Sequence, residues 1–284
     1  MTDDQVLVEV VGGLNASECA TLRRVYSEMF EKDLIVHIKK NTSGNFEEAL
    51  VASLTPPVEF DCFTLHHALD RFSSDESTLS DILCTRTQCE LRQIQQAYEH
   101  LHGRNLVHMI EAHTSGDTKK LYLARLLWQE RDDESLDRDV KLLYDAGEGR
   151  LLGCDEVVFT NILACRSPEY IANLNVRYSE THGKSLEKVI KSKMSGHFET
   201  ALVALVTPVP IYFAQRLHAA TKGLGNDNAC VIRVIVSQRE RHLGAIAEEY
   251  LLRYNESLLE RLRNECSGDY KKLLVAVTKK AVQQ

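Results

Sequence analysis

The 284-residue sequence lacks paired cysteines, long apolar runs and a basic excess, and each absence excludes a class of protein. Its eight cysteines form no CxxC pair and no compact cluster with histidine, which argues against a zinc-bound fold and indicates reduced cytoplasmic thiols. No apolar run reaches membrane-spanning length, so we expect no transmembrane helix. The acidic N-terminus lacks an apolar core, so we expect no secretory signal.

The charge balance limits the partners that the chain can attract by itself. Its 34 basic and 41 acidic residues leave a formal net charge of -7, so we expect no nucleic-acid partner bound through general basicity. An acidic membrane would also repel the chain weakly. Any attraction to acidic lipid would therefore need a bridging cation.

Motifs that would indicate an enzyme are missing as well. No serine lies in a nucleophile-elbow context, the cysteines show no histidine-paired motif, and no glycine-rich phosphate loop follows a strand. The eleven histidines are scattered along the chain. We therefore predict a protein without catalytic activity.

Four landmarks recur in one register along the chain. Tyr26, Tyr98, Tyr178 and Tyr250 are separated by 72, 80 and 72 residues, and a leucine, an aspartate and a Ser-Gly pair repeat the same spacing. Apolar residues within each repeat fall at i, i+3 and i+4, which indicates amphipathic helices, whereas alternating strand patterns are absent. The sequence predicts an all-α fold of four repeats, each with about five helices.

The register also predicts the domain boundaries. The four repeats and the charged linker between the second and third are assigned, in chain order, to residues 1–56, 57–127, 128–139 (the linker), 140–208 and 209–284. Repeat 1 begins at the point equivalent to the second helix of the other repeats, so we predict that it lacks its first helix. Apolar residues such as Leu7, Val10 and Val11 should then be partly uncovered, and dimerisation is one way to cover them.

A glycine-rich loop in repeat 4 is the strongest candidate for a binding site. The segment 221–227 (TKGLGND) lies between helical stretches, and its two glycines permit a tight turn that can present carbonyl oxygens. Hard cations such as Ca²⁺ prefer oxygen ligands. Glu265 follows Gly225 by 40 residues, and in a helical bundle its carboxylate would lie at the same end as the loop. The alternative is an ordinary helix–helix turn with a glycine C-cap.

Repeat 4 resembles an annexin repeat from residue 222 to residue 271, including the segments IRVIVS at 232–237 and SGDYK at 267–271. The number of repeats, their spacing and the longer central linker also match, so the resemblance covers essentially the whole chain. It implies a curved, disc-like array. It also implies that repeats 1 and 4 pack as one module and that repeats 2 and 3 pack as another.

The resemblance further implies which residues form the principal calcium site of that family. These are the main-chain carbonyls of Thr221, Gly223 and Gly225 with the side chain of Glu265, and lipid phosphate or water would complete the shell. Asn226 replaces the threonine that is usual in the motif. We expect this departure to affect mainly the capping of the following helix.

The equivalent positions in the other repeats indicate degraded sites. Repeat 2 has no glycine in its loop at 69–74 and carries His113 at the acidic position. Repeat 3 keeps glycines in its loop at 146–153, which we read as one residue longer than usual, but Lys193 at the acidic position would repel a cation. Repeat 1 lacks the loop and carries Asn41. The sequence therefore predicts one principal site among four.

Five residues are candidates for direct contact with a membrane. Lys222 and Leu224 belong to the repeat 4 loop, and Leu224 would either enter the headgroup region or pack back on its repeat. Leu151 and Leu152 in repeat 3 would suit an interface, with core packing as the alternative. Lys193 would either contact a lipid phosphate or be a solvated surface charge.

Together these features predict a cytoplasmic protein that binds acidic phospholipids such as phosphatidylserine on the cytosolic face of membranes when calcium rises, with Ca²⁺ as its cofactor. Losing simultaneous attachments can cut apparent affinity by about 10²-fold, so a single site predicts a high calcium demand or self-association on the membrane. The alternative is a calcium-independent scaffold or protein-interaction module with a vestigial site. The sequence does not identify a protein partner.

Overall fold

The computed structural model describes residues 4–70, 74–127, 135–223 and 225–283 of the protein. These residues form 19 α-helices and no β-strand, which confirms the all-α prediction. None of the described helices combines the length and apolarity that crossing a bilayer requires. The chain divides into two compact units, Met1–Phe60 with Val209–Gln284, and Asp61–Pro208. Repeats 1 and 4 thus share one unit and repeats 2 and 3 the other, as the resemblance implied.

The described part of repeat 1 contains four helices, and each later repeat contains five. Repeat 1 comprises α1 (Asp4–Gly13), α2 (Ala16–Phe30), α3 (Leu34–Asn41) and α4 (Gly44–Leu54). Repeat 2 comprises α5 (Pro57–Leu69), α6 (Glu76–Leu83), α7 (Gln88–His102), α8 (Leu106–His113) and α9 (Gly116–Leu126). Repeat 3 comprises α10 (Leu136–Ala146), α11 (Glu156–Leu163), α12 (Pro168–His182), α13 (Leu186–Lys193) and α14 (Gly196–Val206). Repeat 4 comprises α15 (Val209–Ala220), α16 (Asn228–Gln238), α17 (Leu243–Tyr254), α18 (Leu258–Glu265) and α19 (Gly268–Val282).

Helix ends fall at the same register in every repeat because the capping residues repeat. The longest internal helix of each repeat ends on a left-handed residue, namely Glu31, Gly103, Gly183 and Asn255. The N-cap of the next helix follows two residues later, and its side chain accepts a hydrogen bond from a main-chain N–H. These N-cap residues are Asp33, Asn105, Ser185 and Ser257. The spacing that relates the four repeats in the sequence therefore also relates the positions at which their helices end and begin.

In repeats 2, 3 and 4, the first helix supplies an aromatic ring beside the tyrosine that recurs in every repeat. That tyrosine is fully buried in all three repeats, at Tyr98, Tyr178 and Tyr250. Beside it, a ring of the first helix stacks on a ring at the end of the longest internal helix, in the pairs His66–His102 at 4.0 Å, Tyr144–His182 at 4.1 Å and His218–Tyr254 at 3.8 Å between centroids. The first helix thus closes the core of each five-helix repeat.

Repeat 1 has no such helix in its described residues, and its matching rings are open to solvent. Tyr26 is only half-buried, and Phe30, which is equivalent to Tyr254, is 54% exposed. The two rings contact each other with a centroid distance of 4.8 Å. The described part of repeat 1 therefore exposes apolar surface at these two aromatic side chains, which the sequence prediction did not name.

The prediction for the apolar residues of α1 is correct only in part. Val10 is exposed and Leu7 is half-buried, but Val11 is buried because α1 packs against α19. The approach is close, since a Cβ atom added at Gly12 would lie 2.6 Å from the Cβ of Ala276. Helix α19 of repeat 4 thus covers the side of α1 on which Val11 lies.

Part of the predicted linker is helical. Helix α10 begins at Leu136, so residues 136–139 form its first turn, while residues 128–134 lie outside the described ranges. Asp139 is buried and accepts hydrogen bonds from Arg166 Nε at 3.0 Å and from the Tyr170 hydroxyl at 2.9 Å. Asp139 is therefore part of the interior of repeat 3, although its place in a highly charged segment had assigned it to the linker.

Candidate functional site

The repeat 4 loop connects α15 to α16 and is closed at its base by main-chain hydrogen bonds. Thr221 N donates to Leu217 O at 3.1 Å, and Asp227 N donates to Ala220 O at 2.9 Å. The Asp227 carboxylate accepts from Cys230 N at 3.0 Å and thereby caps α16. The two helices thus hold both ends of the loop.

Both glycines of this loop are required by backbone conformation. Gly223 has a φ of 108° and Gly225 a φ of 93°, values that L side chains rarely adopt. A Cβ atom at either position would meet nothing within 4 Å, so lack of space is not the reason. Leu224, the proposed apolar anchor between them, lies outside the described residues, whereas Lys222 is exposed.

Asn226 joins this loop to the end of α18. Its side-chain Nδ2 donates to the main-chain oxygen of Glu265 at 2.5 Å. The expectation that Asn226 affects capping of the next helix is wrong, because Asp227 provides that cap. The bond instead places the turn that carries Glu265 beside the glycine loop, as the helical-bundle argument required.

Arg261, one helical turn before Glu265, occupies the space between the loop and that carboxylate. Its Nη2 donates to Thr221 O at 2.5 Å, and its Nε donates to Thr221 Oγ1 at 3.1 Å. Its Nη1 lies 3.3 Å from Glu265 Oε1 and 3.7 Å from Glu256 Oε2. The guanidinium therefore contacts the side chain of Glu265 and the carbonyl of Thr221 together.

Sequence reasoning missed Arg261, although the repeat register carried a signal. The equivalent residues in repeats 2 and 3 are Met109 and Val189, which are both apolar and buried. Repeat 1 has the half-buried His37 there, so Arg261 is the one residue at this position that carries a permanent charge. Comparing the repeats residue by residue along α18 would have singled it out.

The donor groups around Arg261 fit the chemistry of a hard cation. The described residues contain no group of three or more His, Cys, Asp or Glu side chains that would hold a metal, so a metal ion at this loop would need main-chain oxygens as well. Thr221 O and the Glu265 carboxylate are oxygen donors close enough to share one guanidinium. Carbonyl and carboxylate oxygens are the ligands that calcium prefers.

Positive charge also affects the neighbouring histidine. Burial lowers the pKa of His218, and the charges of Arg261 and Lys222 lower it further. His218 Nδ1 lies 3.3 Å from the hydroxyl of Tyr250, whose pKa is raised by burial. A neutral His218 at pH 7 follows, so the cations at this end of repeat 4 are arginine and lysine.

The loop of repeat 3 is longer than we expected and carries its own cation. The hydrogen bond that closes its base joins Asp155 N to Ala146 O across nine residues, against seven in repeat 4, so the loop is two residues longer rather than one. Lys193, at the acidic position, donates from Nζ to the main-chain oxygen of Arg150 at 3.0 Å. The ammonium group of Lys193 is thus hydrogen-bonded to a main-chain carbonyl of the repeat 3 loop.

Two leucines at the tip of the repeat 3 loop are almost fully exposed. Leu151 is 99% exposed and Leu152 is 89% exposed. Core packing, the alternative for these residues, is therefore excluded. An exposed pair of large apolar side chains beside a lysine is typical of a contact surface rather than of a core.

The remaining two repeats place no acidic ligand at the matching position. His113 in repeat 2 is exposed, and residues 71–73 of its loop lie outside the described residues. Asn41 in repeat 1 donates from Nδ2 to His37 O at 2.7 Å, which is a local helix contact. Neither repeat therefore offers the carboxylate that repeat 4 provides.

Comparisons with known proteins agree with this repeat structure. The family model described as Annexin matches residues 1–53, 60–124, 138–205 and 212–277. The chain is 34% identical over 284 residues to annexin A13 of Homo sapiens, covering 97% of this chain and 90% of that protein. It is 37% identical over 286 residues to annexin A7 of Dictyostelium discoideum, covering 97% of this chain and 61% of that protein. The solved structure of annexin III has a TM-score of 0.90 and 32% identity, covering 98% of this chain and 88% of that one.

Each of the four matched segments falls on one of the four helical repeats, and together they cover most of the chain. The resemblance that was inferred from the repeat 4 loop is thereby confirmed. The chain belongs to the annexin family, whose members are generally non-enzymatic proteins that bind phospholipid in a calcium-dependent way.

Proposed function

We propose that this annexin binds acidic phospholipids such as phosphatidylserine through a single calcium site in repeat 4. The candidate ligands are the main-chain oxygens of Thr221, Gly223 and Gly225 and the carboxylate of Glu265. We further propose that the protein is cytoplasmic and attaches peripherally to the cytosolic face of membranes when calcium is high.

One observation carries this proposal: the Thr221 carbonyl and the Glu265 carboxylate contact the same guanidinium group, that of Arg261. Carbonyl and carboxylate oxygens are the ligands that calcium prefers, and here one of each pairs with the same cationic group. The positive φ values of Gly223 and Gly225 add support, because they bend the backbone tightly at the two further candidate ligands.

Bound calcium would supply the positive charge that joins protein oxygens to lipid phosphate, which a chain of net charge -7 needs. The chain itself positions the ligands. Asn226 holds the Glu265 turn against the loop, and the bonds at Thr221 and Asp227 hold the loop ends. Lys222 is exposed and available to a second phosphate oxygen.

A single site limits affinity, because annexin-type attachment through several loops would multiply weak contacts. Losing the other attachments reduces apparent affinity by about 10²-fold. We therefore propose that membrane binding needs high calcium or self-association of several chains on one membrane.

Co-sedimentation with phosphatidylserine vesicles over a calcium titration tests the site. We expect Glu265→Gln to abolish calcium-dependent binding, because an amide keeps the shape of the carboxylate but loses its charge. Glu249→Gln is the matched control, since Glu249 pairs with Arg253 on α17 and takes no part in the site. Equal calcium titrations for the natural chain and Glu265→Gln would refute the assignment.

A second candidate is calcium-independent attachment through repeat 3, which fits the alternative of a scaffold with a vestigial calcium site. The observation that favours it is the near-complete exposure of Leu151 and Leu152 next to Lys193, which already holds a loop carbonyl. Vesicle binding in the presence of a chelator tests it. Binding that persists in chelator and is lost in the double variant Leu151→Ser, Leu152→Ser would support this candidate over the calcium site.

A further inference from the structure

We infer that Arg261 is a built-in cation that competes with calcium for the repeat 4 site, so that the metal binds only when the guanidinium is displaced. The inference rests on the proposed calcium site, because Arg261 contacts two of its four candidate ligand residues. It assigns to this chain a residue that sets the calcium threshold of its own site.

The geometry places the guanidinium on oxygens for which calcium would have to compete. Arg261 Nη2 lies 2.5 Å from Thr221 O, which is within the range of about 2.3–2.6 Å at which calcium binds an oxygen ligand. Nη1 lies 3.3 Å from Glu265 Oε1. A calcium ion at these oxygens would compete with the guanidinium for them and would be repelled by its charge.

Packing does not explain why an arginine stands at this position. Met109 and Val189 are buried at this position in repeats 2 and 3, and His37 is half-buried there in repeat 1, so the fold does not require an arginine. The Arg261 side chain is also largely buried, with 17% exposure. Its charge is compensated by the Thr221 carbonyl and by two carboxylates, so the groups that would ligate calcium are the groups that make a buried charge tolerable.

Repeat 3 provides a second example of the same arrangement. There the acidic ligand is replaced by Lys193, whose Nζ donates to the Arg150 carbonyl of the loop at 3.0 Å. The chain therefore places its own cation on a loop carbonyl in both repeats that contain the glycines. Repeat 4 differs because it also keeps the carboxylate of Glu265, for which calcium can compete.

Glu256 offers the displaced guanidinium another partner. Its Oε2 lies 3.7 Å from Arg261 Nη1, immediately before α18, and it is not a candidate calcium ligand. A rotation of the Arg261 side chain toward Glu256 would free Thr221 O and Glu265 and keep the charge paired. The site would thus exchange one cation for another without leaving a buried charge alone.

The inference is tested with Arg261→Met, which introduces the residue that repeat 2 has at this position. We expect the calcium concentration for half-maximal binding to phosphatidylserine vesicles to fall about tenfold, because the competing hydrogen bonds are removed. Arg263→Met is the matched control: Arg263 is exposed on the same helix, and its replacement changes the net charge equally. This control should leave the calcium titration unchanged.

A readout without lipid accompanies the vesicle assay. Calcium that binds the folded protein raises its Tm, and we expect a larger rise at the same calcium concentration for Arg261→Met than for the natural chain. Arg261→Gln is a second variant, in case the methionine variant is unfolded in the absence of calcium. It also removes the charge, but its side chain keeps a polar amide end.

The outcomes separate this inference from the proposed function. An unchanged or increased calcium requirement in both Arg261 variants, with binding still lost in Glu265→Gln, would overturn the competition and make Arg261 a residue that positions the ligands. If Glu265→Gln has no effect on calcium-dependent binding, the calcium site itself is wrong and the inference fails with it. A lower calcium requirement in the Arg261 variants, abolished by adding Glu265→Gln, establishes both.

Discussion

Asn226 and Glu265 lie 39 residues apart in the chain, yet the side-chain amide of one donates to the main-chain oxygen of the other at 2.5 Å. This bond connects the glycine loop to the turn that carries the candidate carboxylate. A single part-buried hydrogen bond contributes about 1 kcal/mol, enough to hold a short loop in one arrangement. The proposed calcium site should therefore depend on Asn226, which is not itself a candidate ligand.

We predict that Asn226→Ala raises the calcium concentration for half-maximal vesicle binding by about fivefold, because the loop and the Glu265 turn are no longer held together. The measurement is the same vesicle titration. Asn264→Ala is the control, since Asn264 is exposed beside Glu265 and loses the same amide. Equal effects of the two substitutions would show that the bond does not matter for the site.

The register tyrosines should differ in their contribution to stability according to the helix that covers them. We predict that Tyr250→Ala lowers the free energy of unfolding by roughly 3–5 kcal/mol, because Tyr250 is fully buried beneath α15. Tyr26→Ala should cost less than half of that, because Tyr26 is half-buried. Urea denaturation of the two variants measures both values, and similar costs would contradict the idea that Tyr26 is uncovered.

A helix added in front of the described residues of repeat 1 should stabilise this chain. Asp3 and Asp227 are equivalent in register, so a copy of residues 209–226 placed directly before Asp3 would continue the repeat. We predict that Tm rises by about 5 °C or more, because the added helix would cover Phe30 and Tyr26. Thermal unfolding followed by circular dichroism measures the change.

A scrambled copy of the same 18 residues is the control for that graft. It keeps the length and composition of the addition but not the apolar stripe. Comparable Tm values for the graft, the scrambled version and the natural chain would argue against an uncovered core in repeat 1.

Stability should decrease in mild acid because of the stacked rings of repeat 2. Burial lowers the pKa of His102 from the ordinary value of 6.5, and the charges of His66 and Arg104 lower it further. The folded state therefore takes up this proton less readily than the unfolded state, so the stabilisation is complete above pH 6.5 and is lost as the pH falls below it.

We predict that His102→Tyr, which introduces the residue found at Tyr254 in repeat 4, reduces the loss of stability between pH 7.5 and about pH 5.5. The measurement is the urea midpoint at the two pH values. His100→Tyr is the control, because His100 is exposed on the same helix. An equal pH dependence in the natural chain and in His102→Tyr would contradict this role for His102.

The sequence was sufficient to predict the repeat architecture because local signals repeat with it. Cap residues such as Asp33 and Asn105, left-handed ends such as Gly103 and the buried tyrosines act within one or two helices, so their spacing reveals the fold directly. The candidate ligand Glu265 could be selected in the same way, because its position relative to Gly225 is a matter of register.

Only the tertiary structure decided which groups meet across those elements. The contact of Arg261 with Thr221, the bond from Asn226 to Glu265 and the burial of Asp139 join residues 27 to 40 positions apart. Such contacts depend on helix packing and on side-chain rotamers, neither of which leaves a periodic trace in the sequence. The repeat pattern thus indicated where a candidate calcium site lies in this annexin, whereas packing decided that Arg261 contacts its candidate ligands.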